Sequence, residues 1–370
     1  MAGLTFLSCV LVLVASLLLQ GCYNYFVHTN DKHVTLFIFG DSFFDAGNNN
    51  YINTTTHFQA NFWPYGETFF KYPTGRFSDG RLIPDFIAEY AKLPLIPPYL
   101  QPSNHRHYEF GANFASGGAG ALVEIYPGMV VNLKTQLSYF DNVEKMLRRK
   151  VGEREAKQLL SNSIYLFSIG NNDYLSAVKT NSSFYHSYSQ VEYVEMVIGN
   201  LTTVINEIYK KGGRKFGFLS LGPLGCSPSI RALNYSRNAG EEITSLVKLH
   251  NKALSKTLHR LERQLEGFMY SNFNFYTPFS ERIDNPSKYG ISFKEGKSAC
   301  CGTGSFRGVQ TCGGKREVKE YELCNNASEY VFFDSSHPTE LAYQQFASLM
   351  WSGPPDLARP YNLKALFAHI

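Results

Sequence analysis

The sequence predicts a doubly wound α/β domain whose core is a parallel β-sheet. Two observations support this fold class: several short runs are apolar throughout, and longer stretches with helical spacing separate them. Strands that are buried on both faces of a parallel sheet have this continuous apolar pattern, and parallel neighbours need a crossover between them. No internal repeat, long linker or low-complexity segment interrupts the pattern, so one domain is expected.

The predicted elements alternate between strand and helix along the chain. Apolar, β-rich runs predict strands at 34–39, 163–170, 215–222 and 330–334, with a weaker candidate at 110–116. Apolar residues at helical spacing predict helices at 84–93, 136–150, 191–212 and 239–265. This alternation is typical of βαβ units.

Polar and glycine-rich segments follow the strands at the points where the strands end. In open α/β sheets, ligands bind beyond the carboxyl ends of the strands, so these segments are candidates for a functional site. They supply a serine, a glycine-rich turn, an amide side chain and an Asp–His pair. In chain order they are Gly40–Ser42, Ser116–Gly120, Gly170–Asp173 and Asp334–His337.

These residue types are the ones that nucleophilic catalysis requires. A serine hydroxyl is a weak nucleophile until a base takes its proton, and His337 is a candidate base for Ser42. Asp334, three residues before His337, can accept the imidazole Nδ1–H and fix its tautomer. Candidate donors to a tetrahedral oxyanion are the Ser42 backbone, the Gly117–Gly118 turn and the Asn172 side chain. Each motif alone is also common in caps and turns, but their combination favours catalysis.

Four blocks of the sequence resemble those of the GDSL esterase/lipase family, whose catalytic core is also called the SGNH hydrolase. The blocks read FGDSFFDAGNNN, NFASGGAGAL, SIGNNDY and DSSHPTE, and segments such as GGRKFGFLSLGPLGC and ACCGTG are similar to the plant branch. The resemblance covers nearly the whole mature chain. It implies a flavodoxin-like three-layer α/β/α sandwich with a central parallel sheet, and it implies no metal and no organic cofactor.

The resemblance also implies a role for each matching position. Ser42 would be the nucleophile, and Asp334 and His337 would complete a catalytic triad with it. The oxyanion hole would be formed by Ser42, Gly118 and Asn172.

The glycine assignment and two departures from the family pattern leave open points. Gly118 is chosen because it lies five residues after Asn113, and Gly117 is the alternative. Phe43 stands where the family name has leucine, a change that is expected to reshape a wall of the pocket. Plant members often have a cysteine shortly after the PLGC segment; this chain has none, so Cys226 is expected to be unpaired or bonded elsewhere.

The N-terminus and the sequons predict export from the cell. Residues 4–20 are almost continuously apolar, which predicts a signal peptide over 1–22 and a mature domain over 23–370, with an uncleaved anchor as the alternative. Five N-x-[ST] sequons are candidate glycosylation sites: Asn53, Asn181, Asn200, Asn234 and Asn326.

Cysteine use agrees with an oxidising compartment. Cys300, Cys301, Cys312 and Cys324 fall within 25 residues. The adjacent pair Cys300–Cys301 does not match the spacing of zinc sites, so disulfides are expected and a metal site is not. The sequence leaves the pairing open.

Three functions are compatible with these features. The first is a secreted serine esterase or lipase that hydrolyses small-molecule or lipid acyl esters through an acyl-enzyme, in the extracellular space (apoplast or cell wall) or in the vacuole. The second is an acyltransferase that passes the same acyl group to an alcohol. The third is a non-catalytic glycoprotein that binds lipid or a partner.

Composition restricts the partners further. The net charge of +4 is too small to indicate nucleic-acid binding. No second apolar run approaches the roughly 20 residues of a membrane span, so no stable span is expected after signal removal. The sequence does not indicate the oligomeric state.

Overall fold

The computed structural model shows a six-stranded β-sheet flanked by helices. It describes residues 34–102, 108–233, 239–289 and 293–369. The predicted signal peptide, residues 1–22, and the sequon at Asn234 lie outside these residues.

The central sheet is parallel except at one edge. The strands are β1 (Leu36–Gly40), β2 (Gly111–Asn113), β3 (Ile164–Ser168), β4 (Lys215–Leu219), β5 (Met269–Phe273), β6 (Glu295–Ala299), β7 (Cys301–Gly302), β8 (Glu322–Leu323), β9 (Tyr330–Phe332) and β10 (Ala358–Pro360). The order in the sheet is β10-β5-β4-β3-β1-β2, and only β10 runs antiparallel to its neighbour. The predicted parallel sheet is therefore confirmed for five strands, and the edge strand makes it mixed.

Two strands differ from the sequence prediction. The run at 330–334 was expected in the central sheet, but β9 pairs with β6 in a separate two-stranded sheet. The reason is that the carbonyls of Phe332 and Phe333 accept hydrogen bonds from Cys300 and Cys301, which commits this strand to the cysteine-rich segment. The fifth parallel strand is instead β5, whose polar residues at 271 and 272 interrupt the apolar pattern.

The four predicted helices are confirmed with ends shifted by a few residues, and shorter helices accompany them. The helices are α1 (Ile83–Tyr90), α2 (Leu133–Val151), α3 (Glu153–Asn162), α4 (Asn171–Lys179), α5 (Ser183–His186), α6 (Gln190–Lys210), α7 (Pro228–Leu233), α8 (Ala239–Gln264), α9 (Tyr276–Asp284), α10 (Glu340–Ser352) and α11 (Leu363–Ala368).

Alternate residues of the central strands face two helical layers. Phe37 of β1 and Phe216 of β4 belong to one apolar cluster with the buried faces of α2, α6 and α8. On the opposite face, a β-carbon at Gly217 would lie 2.8 Å from the side chain of Leu363, so the absence of a side chain there allows α11 to pack closely. Helices on both faces give the three-layer α/β/α arrangement that the sequence predicts.

Two disulfides hold the cysteine-rich segment, as expected from the sequence. They join Cys300 to Cys324 and Cys301 to Cys312, and Cys226 is a free thiol. Buried cysteines share an apolar cluster, here called the cysteine cluster, with aromatic residues from two other segments. Its buried members are Ala60, Phe62, Tyr65, Phe77, Cys300, Cys301, Cys312, Ala327 and Phe333.

We expect removal of the Cys301–Cys312 disulfide to destabilise the fold. Cys301→Ala/Cys312→Ala should lose about 2–4 kcal/mol of unfolding free energy, because the bond restricts the unfolded chain. Thermal denaturation of the purified protein would show this as a lower Tm. Cys226→Ala, which removes a thiol outside both disulfides, is the control. Equal Tm values for wild type and the double variant would show that the disulfide does not support the fold.

Candidate active site

A serine, a histidine and an aspartate form one chain of hydrogen bonds beyond the ends of β1 and β9. Ser42 lies two residues after β1, with its Oγ 2.7 Å from Nε2 of His337. The other ring nitrogen of His337, Nδ1, lies 2.8 Å from Oδ1 and 2.9 Å from Oδ2 of Asp334. All three side chains are buried. The structure thus brings together the three residues for which the sequence indicated a nucleophile, a base and an orienting carboxylate.

The position of Ser42 is set by the sheet and by α2. Gly40, the last residue of β1, has a φ of 151°, and a β-carbon there would lie 2.3 Å from the carbonyl oxygen of Ser168 in β3. Only glycine fits this approach. The buried Gln136 of α2 accepts a hydrogen bond from the Gly40 N–H at 2.9 Å and donates one to its carbonyl at 2.8 Å. The turn that carries Ser42 is therefore anchored on both sides.

Asp334 is a buried carboxylate with donors from two parts of the chain. Its Oδ1 accepts the backbone N–H groups of Ser336 at 2.9 Å and His337 at 2.8 Å, and its Oδ2 accepts the Tyr65 hydroxyl at 2.8 Å. Burial by itself would raise the pKa of Asp334, but the charge of His337 and these hydrogen bonds outweigh it and lower the pKa to about 2. Burial and the charge of Asp334 raise the pKa of Tyr65, which keeps its phenol a donor.

Two phenylalanine rings flank the imidazole. The ring of Phe77 lies 4.8 Å from that of His337, and the ring of Phe43 lies 5.7 Å from it, both measured between centroids. Phe43 also lines the cleft described below, so the residue that replaces the family's leucine forms part of the wall beside the imidazole. Both phenylalanines are buried and give the imidazole an apolar environment.

Ser42, Gly118 and Asn172 each have an N–H group without an acceptor in the described parts of the protein. Among the described residues, the backbone N–H groups of Ser42 and Gly118 have no protein acceptor. The Asn172 side chain donates to the carbonyl of Ala119 at 2.9 Å, which leaves its second amide hydrogen available. Ser42, Gly118 and Asn172 all line the same cleft.

The hydrogen bonds distinguish the two candidate glycines. The N–H of Gly117 donates to Oδ2 of Asp45 at 2.8 Å and is therefore occupied. Gly118 has a φ of 85°, and a β-carbon there would lie 2.4 Å from the ring of Phe58. The free N–H belongs to Gly118, and its backbone conformation and surroundings both require glycine.

Asparagines of the first sequence block hold the glycine-rich turn in place. Asn48 donates its amide hydrogens to the carbonyls of Asn113 and Ala115, each at 2.8 Å. Asn49 donates to the carbonyl of Gly117, also at 2.8 Å. These contacts connect the segment after β1 to the segment after β2, which explains why the first strand is followed by a run of asparagines.

Two further buried carboxylates fix α4, whose first turn carries Asn172. Asp173 accepts the backbone N–H groups of residues 121 and 122 at 3.0 and 2.9 Å, and Asp41 accepts the Asn171 amide at 2.7 Å. Burial raises the pKa of Asp41 to about 7 and that of Asp173 to about 6, against the opposing effect of these hydrogen bonds. The carboxylates tie α4 to the turns that follow β1 and β2.

Ser42 and His337, together with the N–H donors of Gly118 and Asn172, line one cleft of about 290 Å³. Phe58, Tyr126 and Leu175 give it an apolar side. The aromatic residues at 51–66 divide between the cleft and the core. Phe58 lines the cleft, whereas Tyr65 is fully buried in the cysteine cluster.

A family model described as GDSL-like lipase/acylhydrolase matches residues 36–350. The chain belongs to this family. Relatives that are more than half identical to the chain are named as esterases or lipases, so the chain is a carboxylic ester hydrolase, and the family implies a small-molecule ester as its substrate.

Curated relatives of the GDSL family are similar over nearly the whole chain. GDSL esterase/lipase 2 of Arabidopsis thaliana is 54% identical over 360 residues, which cover 95% of both chains. GDSL lipase of Tanacetum cinerariifolium is 52% identical over 360 residues, which cover 96% of this chain and 93% of the relative.

Sequence patterns do not indicate two of the residues that support this GDSL site. Tyr65 contacts a residue 269 positions away and Gln136 one 96 positions away, and the sequence assigns a role to neither. For Gln136 the available signal was a polar residue at a position where the helical spacing of α2 requires an apolar one. For Tyr65 the available signal was its place in the segment WPYGETFF, which is similar to the plant branch of the family.

We expect Tyr65→Phe to destabilise the protein in a pH-dependent way. The change keeps the ring but removes the hydrogen bond to Asp334, and it should cost about 1.5–3 kcal/mol of unfolding free energy at pH 7. Because the folded-state pKa of Asp334 is below its ordinary value of 3.8, this stabilisation is present above that value and is lost as the pH falls through about 2. Chemical denaturation from neutral to acidic pH would therefore show the difference between variant and wild type shrinking.

A matched control is Tyr343→Phe. Tyr343 is also fully buried, but its hydroxyl has no hydrogen-bond partner among the described residues. Its removal should not destabilise the protein. If both variants lost the same free energy at every pH, the bond between Tyr65 and Asp334 would not be the cause.

Proposed function

We propose that the protein is a secreted serine esterase or lipase that hydrolyses carboxylic acyl esters through an acyl-enzyme on Ser42. The observation that carries the proposal is the hydrogen-bonded chain Ser42–His337–Asp334 at a cleft that also contains unoccupied N–H donors. A hydroxyl is activated for acyl transfer when a base contacts it and a carboxylate orients that base.

In the acylation step, Ser42 Oγ forms a bond to the ester carbonyl carbon while Nε2 of His337 takes the hydroxyl proton. This requires the tautomer with hydrogen on Nδ1, which the contact of Nδ1 with the Asp334 carboxylate stabilises. The carbonyl oxygen becomes an oxyanion. When the tetrahedral intermediate collapses, the bond to the alcohol oxygen breaks and His337 returns the proton to the leaving alcohol.

The oxyanion would be stabilised by the backbone N–H groups of Ser42 and Gly118 and by the amide of Asn172. These donors are held before substrate binds, because buried contacts fix both turns and α4. Donors that need no reorganisation during the reaction are the ones that lower the barrier most. Water, deprotonated by His337, then attacks the acyl carbon. The bond to Ser42 Oγ breaks, His337 returns the proton to Oγ, and the carboxylic acid leaves.

We expect Ser42→Ala and His337→Ala to lose nearly all hydrolysis of a short-chain aryl ester, on the order of 10⁴-fold or more. Asn172→Ala should lose about 10²–10³-fold in kcat, because one oxyanion donor is removed. Asn325→Ala removes an exposed amide away from the cleft and is the control. Initial rates of acid release by purified variants measure all four.

Other outcomes of this assay separate the alternative functions. If products are mainly exchanged esters when a dilute alcohol is present, the protein is an acyltransferase that shares the first half-reaction. If wild type resembles Ser42→Ala on every ester and also resists labelling by an organophosphonate, the triad assignment is wrong and a binding glycoprotein is the better description.

Secretion is proposed from the apolar N-terminal segment, the disulfides and the sequons. Residues 1–22 would be removed as a signal peptide and 23–370 would form the mature domain, in the extracellular space or the vacuole. The disulfides require an oxidising compartment to form. In the part of the chain that the structure describes, no helix combines the length and apolarity needed to cross a bilayer.

The exposed sequons predict a glycoprotein. At the sequons that lie within the described residues, the asparagine is exposed; these are Asn53, Asn181, Asn200 and Asn326. Protein secreted by a eukaryotic host should begin after the predicted signal, and it should lose mass on treatment with an N-glycosidase. Substitution of one glycosylated asparagine by glutamine should abolish the corresponding part of that loss. An unchanged mass, or an intact N-terminus in the medium, would contradict the proposal.

A further inference from the structure

The helix that provides the Asn172 amide also presents a cation to the cleft. Asn172, Leu175 and Lys179 all line the cleft. They are spaced by three and four residues on α4, so they share one helical face. The axial rise between the first and the last is about 10 Å. One face of α4 therefore runs from an oxyanion donor, past an apolar side chain, to an ammonium group.

The ammonium group of Lys179 is only partly used by the protein. Its Nζ donates to the hydroxyl of Ser229 at 3.2 Å, and among the described residues it forms no ion pair. An ammonium has three N–H donors, so two remain for a ligand. Lys179 as a whole residue is exposed, but its ammonium group lies against the hydroxyl of Ser229. Loss of water there lowers the pKa of Lys179 to about 8, and the charge of Asp334 opposes this effect. The group therefore carries a positive charge at neutral pH.

The serine that contacts this ammonium group is hydrogen-bonded to two further serines. Ser227 and Ser336 line the cleft, and both contact Ser229, at 3.2 and 3.3 Å between the hydroxyl oxygens. Ser229 accepts hydrogen bonds from Lys179 and Ser336 and can donate its own hydrogen to Ser227, which leaves the Ser227 hydroxyl able to donate to an anion. Lys179, Ser227, Ser229 and Ser336 thus form a hydrogen-bonded polar group at the cleft, here called the ammonium–serine group.

The charge balance of the cleft favours an anion. Lys179 is the only Lys, Arg, Asp or Glu among the residues that line the cleft within the described parts of the chain. The carboxylate of Asp334 is buried behind His337 and is already bonded to it. A cation without a neutralising carboxylate, in a cleft with low-dielectric walls, attracts negatively charged ligands.

We propose that the ammonium–serine group is a subsite for an anionic group of the ester substrate, such as a carboxylate. The anion belongs either to the acyl part or to the alcohol part, and the test distinguishes them. This inference rests on the proposed function, because it assigns the specificity of the same cleft. It predicts that the preferred substrates are monoesters that carry a negative charge a short distance from the ester bond.

Two pairs of esters test the proposal. In the first pair, the para-nitrophenyl monoester of glutaric acid and para-nitrophenyl pentanoate differ by a carboxylate on the acyl part. In the second, para-acetoxybenzoate and its methyl ester differ by a carboxylate on the alcohol part. The measured quantity is the ratio of kcat/KM for the anionic ester to kcat/KM for the neutral one, in wild type, Lys179→Met, Lys179→Arg and Lys248→Met.

We expect this ratio to fall about tenfold in Lys179→Met for one of the two pairs, as for the loss of a charged hydrogen-bond partner. Lys179→Arg keeps the charge and should retain most of the ratio. Lys248 is exposed on α8 and does not line the cleft, so Lys248→Met controls for the change in net charge. Wild-type ratios in Lys179→Met for both pairs, or an equal fall in Lys248→Met, would overturn the proposal.

A binding measurement separates failure of this subsite from failure of the proposed reaction. Glutaric acid monoanilide and para-acetamidobenzoate are amide analogues of the two anionic esters, and calorimetry measures their binding to Ser42→Ala and to Ser42→Ala/Lys179→Met. Lys179-dependent binding without esterase activity in wild type would retain the subsite and overturn the Ser42 mechanism. Ser42-dependent hydrolysis with ratios insensitive to Lys179 would retain the mechanism and overturn the subsite.

Discussion

The ionised carboxylate of Asp334 is the group on which the geometry of the site depends. A charge without partners in the protein interior would be strongly destabilising, so this carboxylate is tolerated only where donors converge on it. The donors come from its own turn, from the imidazole of His337 and from Tyr65, far away in sequence. The hydrogen bonds to this carboxylate therefore fix the ring of His337, and the position of the ring places Nε2 within hydrogen-bond distance of Ser42 Oγ.

Other buried carboxylates extend the same principle to the loops around the cleft. A turn lacks the regular backbone partners of a strand, and side chains such as Asp45 and Asp173 supply acceptors for its N–H groups. The glycine-rich turn is consequently held by groups from the segments after β1 and β3. Rigid loops on a rigid sheet keep the N–H donors in position without help from a ligand.

The parts of the structure that depend on local pattern could be predicted from the sequence. β1, β3 and β4 are buried on both faces, so their apolar runs identified them, and the residues after β1, β2, β3 and β9 provided the candidate site. β5 was missed because Ser271 and Asn272 break its apolar run, and β9 was assigned to the wrong sheet because strand partners are not encoded locally. The pairing of the cysteines and the contact of Tyr65 with Asp334 depend on the tertiary fold for the same reason.

The cysteine cluster links the disulfides of this chain to the hydrogen bonds of its candidate active site. Tyr65 and Phe333 pack in that cluster beside Cys300, Cys301 and Cys312, and Tyr65 is also a donor to the Asp334 carboxylate. While the thiols are reduced, the surface beneath Tyr65 lacks its covalent support. Reduction of the two disulfides would therefore loosen the packing around a donor to the Asp334 carboxylate, so the redox state of the cysteine cluster bears on the position of the His337 ring.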